Sequence, residues 1–267
     1  MTQESLPVAV VTGAAGGIGT ALMRELVQAG YTVVGLDLAS ASPKLSGDQG
    51  PKSVMMSCDI TNESEVTTAF ASIIDTYGRL DLLVNNAGIS ALGTLHDHDI
   101  DTWRRVMDVN YIGAILCTRA AFPNLSRSRG HIVVMSSVAG FAPVIGRPAY
   151  VGAKHAVTGT FEALRPELAT QGVGLTLVHP TFVVGGMTES HRPEAVERAT
   201  TGPEITPDDV ARAVVNGLAK RHHRVLVGRT SNVAWRVSRW APTVYQRLMV
   251  RALQRNKRTV TANGGTR

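Results

Sequence analysis

Near the N-terminus a short apolar run, Pro7-Val-Ala-Val-Val11, ends in a glycine-rich turn, Thr12-Gly13-Ala14-Ala15-Gly16-Gly17-Ile18-Gly19. An apolar run of that length bounded by a turn reads as a buried strand. Beyond the turn Ile18, Ala21, Leu22, Leu26 and Ala29 recur at helical spacing and Gly30 closes the series. A strand that passes through glycines into a helix narrows the choice of folds sharply. The glycines let the chain reverse, and the helix N-terminus then presents its amides to an anion such as a pyrophosphate.

The alternation continues along the chain. Strands are expected at Tyr31–Leu36, Ser53–Met56, Leu80–Val84, His131–Met135, Gly174–Val178 and Val225–Val227. Helices are expected at residues 62–77, with Asn62 as N-cap, and at 101–122, 149–168 and 207–219. Strands that alternate with helices predict an α/β fold, a doubly wound parallel sheet with helices on both faces. In such sheets ligands bind beyond the carboxyl ends of the strands. Gly13, Asp37, Asp59, Asn86, Ser137 and the Pro180 segment all follow strand ends, so they are expected to converge on one cleft.

The 267 residues, 44% hydrophobic, suffice for one large domain with a substantial core. Cys58 and Cys117 lie outside any C-x-x-C pair and read as reduced buried thiols, which fits the cytoplasm. His96 and His98, and His222 and His223, form no H-x3-H or H-E-x-x-H pattern, so no metal site is expected. The start, Met-Thr-Gln-Glu-Ser, has no basic segment followed by an apolar run, and no apolar run is long enough to span a bilayer. A cytoplasmic protein is therefore expected, with peripheral contact at a membrane left open by the charge of its tail. After Asp209 the last 58 positions hold 13 Lys or Arg and no acid, whereas the first 209 carry 14 basic and 21 acidic groups.

The turn spacing is G-x3-G-x-G, from Gly13 through Gly17 to Gly19, which differs from G-x-G-x-x-G. After the first strand of an α/β pattern it still favours a dinucleotide. Asp37 follows the second strand, 18 residues past Gly19. An acid there can accept hydrogen bonds from the adenosine ribose and repel a 2′-phosphate. No Lys or Arg occupies residues 14–18 or 38–42, so NAD is expected over NADP. Asp59 could reach the adenine amino group or could simply form its turn. Ser137, Tyr150 and Lys154 read S-x12-Y-x3-K. Residues four apart on a helix share a face, which sets an ammonium beside a phenol. A phenol of pKa about 10 is a poor base at neutral pH. A nearby positive charge is expected to lower that value and make Tyr150 a general acid/base for an alcohol oxygen.

Taken together, these motifs resemble the short-chain dehydrogenase/reductase family in its short single-domain form. The matching residues are the Thr12–Gly19 turn, Asp59, Asn85-Asn86-Ala87-Gly88, Asn110 in Asp108-Val-Asn-Tyr111, Ser137 and Tyr150-x3-Lys154, and the match spans roughly residues 5–228. The resemblance implies a Rossmann-type sheet and hydride transfer to or from a nicotinamide. It implies that Tyr150 exchanges a proton with the substrate oxygen and that Ser137 holds that oxygen. Lys154 would lower the Tyr150 pKa and bind the nicotinamide ribose, and Asn110 would support a water chain to solvent. Gly16, Gly17, Ile18, Ile60, Asn86, Ala87 and Gly88 would line the cofactor cleft, and Thr12 would brace the turns. Dimers or tetramers are usual in this family, through the helices that carry Asn110 and Tyr150.

One segment departs from the family pattern. After the sixth strand it reads His179-Pro180-Thr181-Phe182-Val183-Val184-Gly185-Gly186-Met187-Thr188, with Thr181 for the usual glycine and Gly185 where a threonine is expected. Val183 can still offer its backbone to the carboxamide, and Thr188 is a candidate for the missing hydroxyl. Ala91, Leu92, Phe141, Val144, Ile145, Phe182 and Met187 are the candidate substrate side, mostly apolar, with Arg147 as the one charge nearby.

Residues 1–229 are expected to form the dinucleotide-binding and catalytic domain, and 230–267 a basic amphipathic extension. Within it Val244, Tyr245, Leu248, Met249, Ala252 and Leu253 share a face, with Trp235, Trp240 and Pro242 before them. Packing on this or a partner subunit as a lid, contact with an anionic membrane, and an acidic partner all remain open; nucleic acid is disfavoured because no recognition module accompanies the charge. The expected activity is NAD-dependent interconversion of a hydrophobic, lipid-like or steroid-like secondary alcohol and its ketone. The alternatives are a ketoacyl-acyl-carrier-protein-type reductase and a non-enzymatic cofactor-sensing protein on the same fold.

Overall fold

A computed structural model describes residues 6–38, 52–185, 204–251 and the backbone of 189–191. Seven strands, β1 (Val8–Thr12), β2 (Thr32–Asp37), β3 (Ser53–Ser57), β4 (Leu82–Asn85), β6 (His131–Met135), β7 (Gly174–Pro180) and β9 (Arg224–Val227), form one parallel sheet in the order β3-β2-β1-β4-β6-β7-β9. The order reverses between β1 and β4, where a doubly wound sheet opens its ligand crevice. β5 (Ser90–Ala91) pairs separately with β8 (Glu189–His191).

Because strand side chains alternate, one strand serves two cores. Val8 and Val10 of β1 point into one, where α2 (Glu63–Tyr77), α4 (Gly113–Ser128) and α5 (Pro148–Thr170) contribute Phe70, Ile73, Leu125 and Phe161. Ala9 and Val11 point into the other, closed by Leu22 and Leu26 of α1 (Gly17–Gln28) and Val210 and Val214 of α6 (Pro207–Ala219). Asn62 caps α2 as expected, accepting the amides of Ser64 and Glu65.

The helix expected at 101–122 differs in two ways. It breaks into α3 (Ile100–Met107), a π turn at Asp108–Ile112 and α4. The buried Asn110 Nδ2 donates to the carbonyls of Val106 and Ile89, both at 2.8 Å, and so occupies the carbonyl that a regular turn would use. α4 then runs past Pro123 to Ser128, because the fully buried Leu125 beyond the proline still packs into the first core.

The C-terminal segment folds back. α7 (Arg229–Trp240) packs on β9, and a further helix, α8, spans 242–251. Ser231 Oγ donates to the His179 carbonyl at 2.9 Å, which ties α7 to the end of β7. Trp235 turns inward, its ring 4.9 Å edge-on to Phe141 and 3.9 Å from the Arg224 guanidinium. Ala252 and Leu253 lie outside the described residues.

Candidate active site

A cavity of about 1190 Å³ runs along the carboxyl ends of the strands. Gly13, Asp37, Asp59, Asn86, Ser137 and Pro180, each from a different strand end, all line it. A single ligand pocket usually measures about 300–1,000 Å³, so the space suits two ligands end to end.

The first turn forms one end. Gly13 has φ 64°, and a Cβ there would stand 2.7 Å from the Ala87 Cα. At Gly19 an added Cβ would strike the Gly13 carbonyl and the Ala14 backbone. These two glycines are required by the protein's own packing. Gly16 and Gly17 are not: added Cβ atoms there would meet nothing closer than 3.5 Å. No side chain caps α1 at Gly16, and its first turn carries no acid. Bare amides at a helix start beside two glycines the protein does not itself need fit a closely approaching phosphate. Ile18 and Gly19 line the same end.

Asp37 stands across from this turn. Its Oδ2 accepts the Ala15 amide and its Oδ1 the Leu38 amide, both at 2.8 Å. Asp59 Oδ1 accepts the amide and hydroxyl of Thr61, so its turn-forming role is present, while Asp59 and Ile60 also line the cavity. Thr12 Oγ1 accepts the amides of Asn86 and Ala87, each at 3.0 Å, and Asn86 Nδ2 donates to the carbonyls of Thr12 and Gly13. These bonds lock the end of β4 to the first turn and leave Asn86, Ala87 and Gly88 facing the cavity.

Beyond them stand Ser137, Tyr150 and Lys154. Ser137 Oγ accepts the Ala139 amide at 3.1 Å, so its own hydrogen is free to point elsewhere. The Ser137 hydroxyl stands near enough to the Tyr150 phenol to favour its ionised form. Lys154, buried, donates to the Met135 carbonyl at 2.8 Å, with its Nζ 5.7 Å from the Tyr150 ring centre. Burial holds Lys154 down to about 8. It also raises the Tyr150 phenol, and the opposing pull comes from Ser137 and the Arg147 charge. The expected lowering of Tyr150 by Lys154 is therefore corrected: the cost of ionising a buried phenol outweighs the favourable neighbours. Asn110 lies behind the cavity wall, and its Oδ1 is buried without a protein partner, close to where a Gly88 side chain would be. That orphaned acceptor suits a bound water.

The segment after β7 is partly described. Pro180 and Val183 line the cavity, and the Val184 amide bonds Ile205. Thr181 packs its side chain where Gly228, at φ 92°, leaves room for it. Met187 and Thr188 lie outside the described residues. Val144, Ile145 and Phe182 line the cavity, whereas Ala91, Leu92 and Phe141 do not. Ala91 and Leu92 are buried beneath the wall, and Phe141 is taken up by Trp235 and His179.

Three features of the site escaped the sequence. His179 is fully buried, and its Nδ1 lies 3.0 Å from the Ser137 carbonyl, which makes that nitrogen the donor and steadies Ser137. Burial lowers His179 to about 4, so it is neutral. Arg147 is buried rather than open, with Nη1 donating to Ser90 Oγ at 3.0 Å. The far wall comes from α7 and α8, through Val233, Val237, Tyr245, Leu248 and Met249. Only Tyr245, Leu248 and Met249 belong to the apolar face legible in the sequence. Among the described residues no group of three or more His, Cys, Asp or Glu could hold a metal ion, and no helix is long and apolar enough to cross a membrane.

A family model described as short chain dehydrogenase matches residues 7–195. The dehydrogenase/reductase SDR family member 7B of Xenopus laevis is 32% identical over 268 residues, covering 94% of this chain and 83% of its own length. An uncharacterized oxidoreductase of Staphylococcus epidermidis is 32% identical over 225 residues, covering 84% of this chain and 95% of its own. Among solved structures, a short chain dehydrogenase from Burkholderia cenocepacia in complex with NADP is similar at TM-score 0.78 and 26% identity, covering 91% of this chain and 97% of its own. A short-chain dehydrogenase from Streptomyces avermitilis reaches TM-score 0.77 at 25% identity, covering 98% of this chain and all of its own.

Proposed function

This chain belongs to the short chain dehydrogenase family, and we propose that it oxidises a hydrophobic secondary alcohol, or reduces its ketone, with NAD(H). One observation carries the reading. Ser137 and Tyr150 stand together at the wall of a cavity whose other end is the bare glycine turn, so a proton-transfer pair and a phosphate cradle share one space. The nicotinamide, when bound, supplies or takes the hydride. The protein does the rest. Tyr150 Oη exchanges the proton with the substrate oxygen. Ser137 Oγ–H holds that oxygen in line. Lys154, anchored on the Met135 carbonyl, has further N–H bonds to offer a ribose hydroxyl. Asn110 Oδ1 holds a water on the way to solvent.

Asp37 supports NAD. Its carboxylate is fixed by two amides and retains lone pairs for ribose hydroxyls, while a 2′-phosphate there would meet a like charge. The Burkholderia relative's NADP points the other way by analogy. The apolar side chains of Val144, Ile145, Phe182, Leu248 and Met249 support a hydrophobic substrate. Reduction of NAD by a panel of hydrophobic secondary alcohols tests this reading, and no activity with any alcohol or ketone would count against it.

The outer face of the last helices favours contact with an anionic membrane surface. Trp240 is 85% exposed, beside exposed Arg236, Arg239 and Arg247, with no acid in the segment. Liposome co-sedimentation with and without residues 230–267 tests it. The rest of the surface, around α4 and α5, is read as the contact of a homodimer or homotetramer.

A further inference from the structure

Arg147 occupies a costly place. It is 6% exposed, and burying a guanidinium forfeits its hydration. It is also the N-cap of α5, the end of the helix where the macrodipole disfavours a cation. Its guanidinium is held from outside the helix, by Ser90 Oγ at 3.0 Å. Tyr150 follows three residues later, one turn on, and both side chains line the cavity.

The other charges around Tyr150 differ in kind. Lys154 on the same helix is spent partly on the Met135 carbonyl, and burial lets it lose its proton at about 8. His179, behind Ser137, is neutral. Arg105 of α3 and Arg229 of α7 line the cavity but are more open, and Asp108 in the π turn does not line it. Glu189 pairs with Ser90 through its backbone. A guanidinium does not deprotonate in proteins, so Arg147 keeps its charge throughout the range in which a phenol ionises. Burial raises the phenol, and Arg147 is the cation that opposes the rise.

We propose that Arg147 is a positioning residue of the active site, a buried permanent charge held on Ser90 at the start of α5, one turn before Tyr150, and that it acts on the Tyr150 phenol. This rests on Tyr150 being the acid/base, and it assigns to the guanidinium a share of the work that the ammonium of Lys154 would otherwise do alone. Arg147 is thereby read as part of the proton-transfer machinery and not as a clamp for an acidic substrate.

The test is an ultraviolet pH titration of phenolate absorbance on the purified full chain with NAD present, using Tyr150→Phe to subtract the other four tyrosines. Arg147→Gln is expected to move the Tyr150 midpoint up by about one pH unit or more, the scale of one close charge. Arg147→Lys should hold the midpoint nearer to wild type. Arg147→Met, which keeps much of the side chain's volume, repeats the test if the glutamine variant does not fold. An unchanged midpoint in the folded neutral variant overturns the proposal, as does a shift that appears only in Lys154→Met. Because absorbance reads Tyr150 without turnover, a missing substrate or a wrong activity does not disguise the result.

Discussion

The carboxylate of Asp37 accepts the amide of Ala15 at 2.8 Å, which fixes an acid from the end of β2 against the glycine turn after β1. The bond aims the second strand's acid at the place where an adenosine ribose would lie. Its consequence is a choice of cofactor. The wild type is expected to favour NAD over NADP by about tenfold or more in kcat/KM, equivalent to about 1.4 kcal/mol. Asp37→Ser should erase most of that preference. Steady-state rates with each dinucleotide decide it; a wild type that prefers NADP would show the ribose assignment to be wrong.

The glycines of the first turn divide into two kinds. Gly19→Ala forces a Cβ against the Gly13 carbonyl and 2.7 Å from the Ala14 Cα. Overpacking of that sort costs about 1–3 kcal/mol, so its melting temperature should fall. Gly17→Ala meets only Pro207 Cγ at 3.5 Å and should melt like wild type, yet bind NAD at least several-fold more weakly. Calorimetry and a fluorescence binding titration separate the two. A Gly17→Ala protein with full NAD affinity would remove the phosphate from this turn.

His131 and His179 are both held down to about 4 by burial. A base whose folded pKa lies below its unfolded value is protonated more readily when the chain unfolds. Stability is therefore full above about 6.5 and falls as pH drops from there toward 4. Each proton contributes at most about 1.4 kcal/mol per pH unit to the slope. Urea midpoints between pH 7 and 4.5 should show this loss, and His131→Gln should flatten it. A midpoint that is level across the range would mean that the histidines are already solvated in the native state.

The Tyr245 side chain is 7% exposed and helps to close the cavity from α8. Tyr245→Ala should raise KM for a hydrophobic alcohol by about tenfold, in keeping with the loss of one buried aromatic. The dissociation constant for NADH should stay within about twofold, because the glycine turn lies at the other end. Equal losses for both ligands would place α8 over the cofactor instead of the substrate.

Much of this site was legible because its parts follow strand ends. Gly13, Asp37, Asp59, Asn86 and Ser137 each lie within three residues past an apolar run, and a parallel sheet must bring such positions to one edge. Tertiary packing was not legible. Asn110 is expected from the resemblance to support a water chain, but its hold on the Val106 carbonyl, which opens the π turn, leaves no periodic trace. Trp235 reads as a companion of Trp240, yet one is half-buried against Phe141 and the other is 85% exposed, a difference set by how α7 lies on β9. The tyrosine acidity was misjudged for a related reason: spacing reveals a neighbouring charge, but only the fold reveals how far burial offsets it.

The central claim is that Tyr150 moves the proton in an NAD-linked alcohol–ketone exchange. The direct measurement pairs NADH formation from a hydrophobic secondary alcohol with NADH binding, for wild type and Tyr150→Phe. Turnover in the variant is predicted to fall by about 10²–10⁴, the range for a lost general acid/base, while its NADH dissociation constant stays within about threefold. A Tyr150→Phe protein that turns over at the wild-type rate would contradict the account.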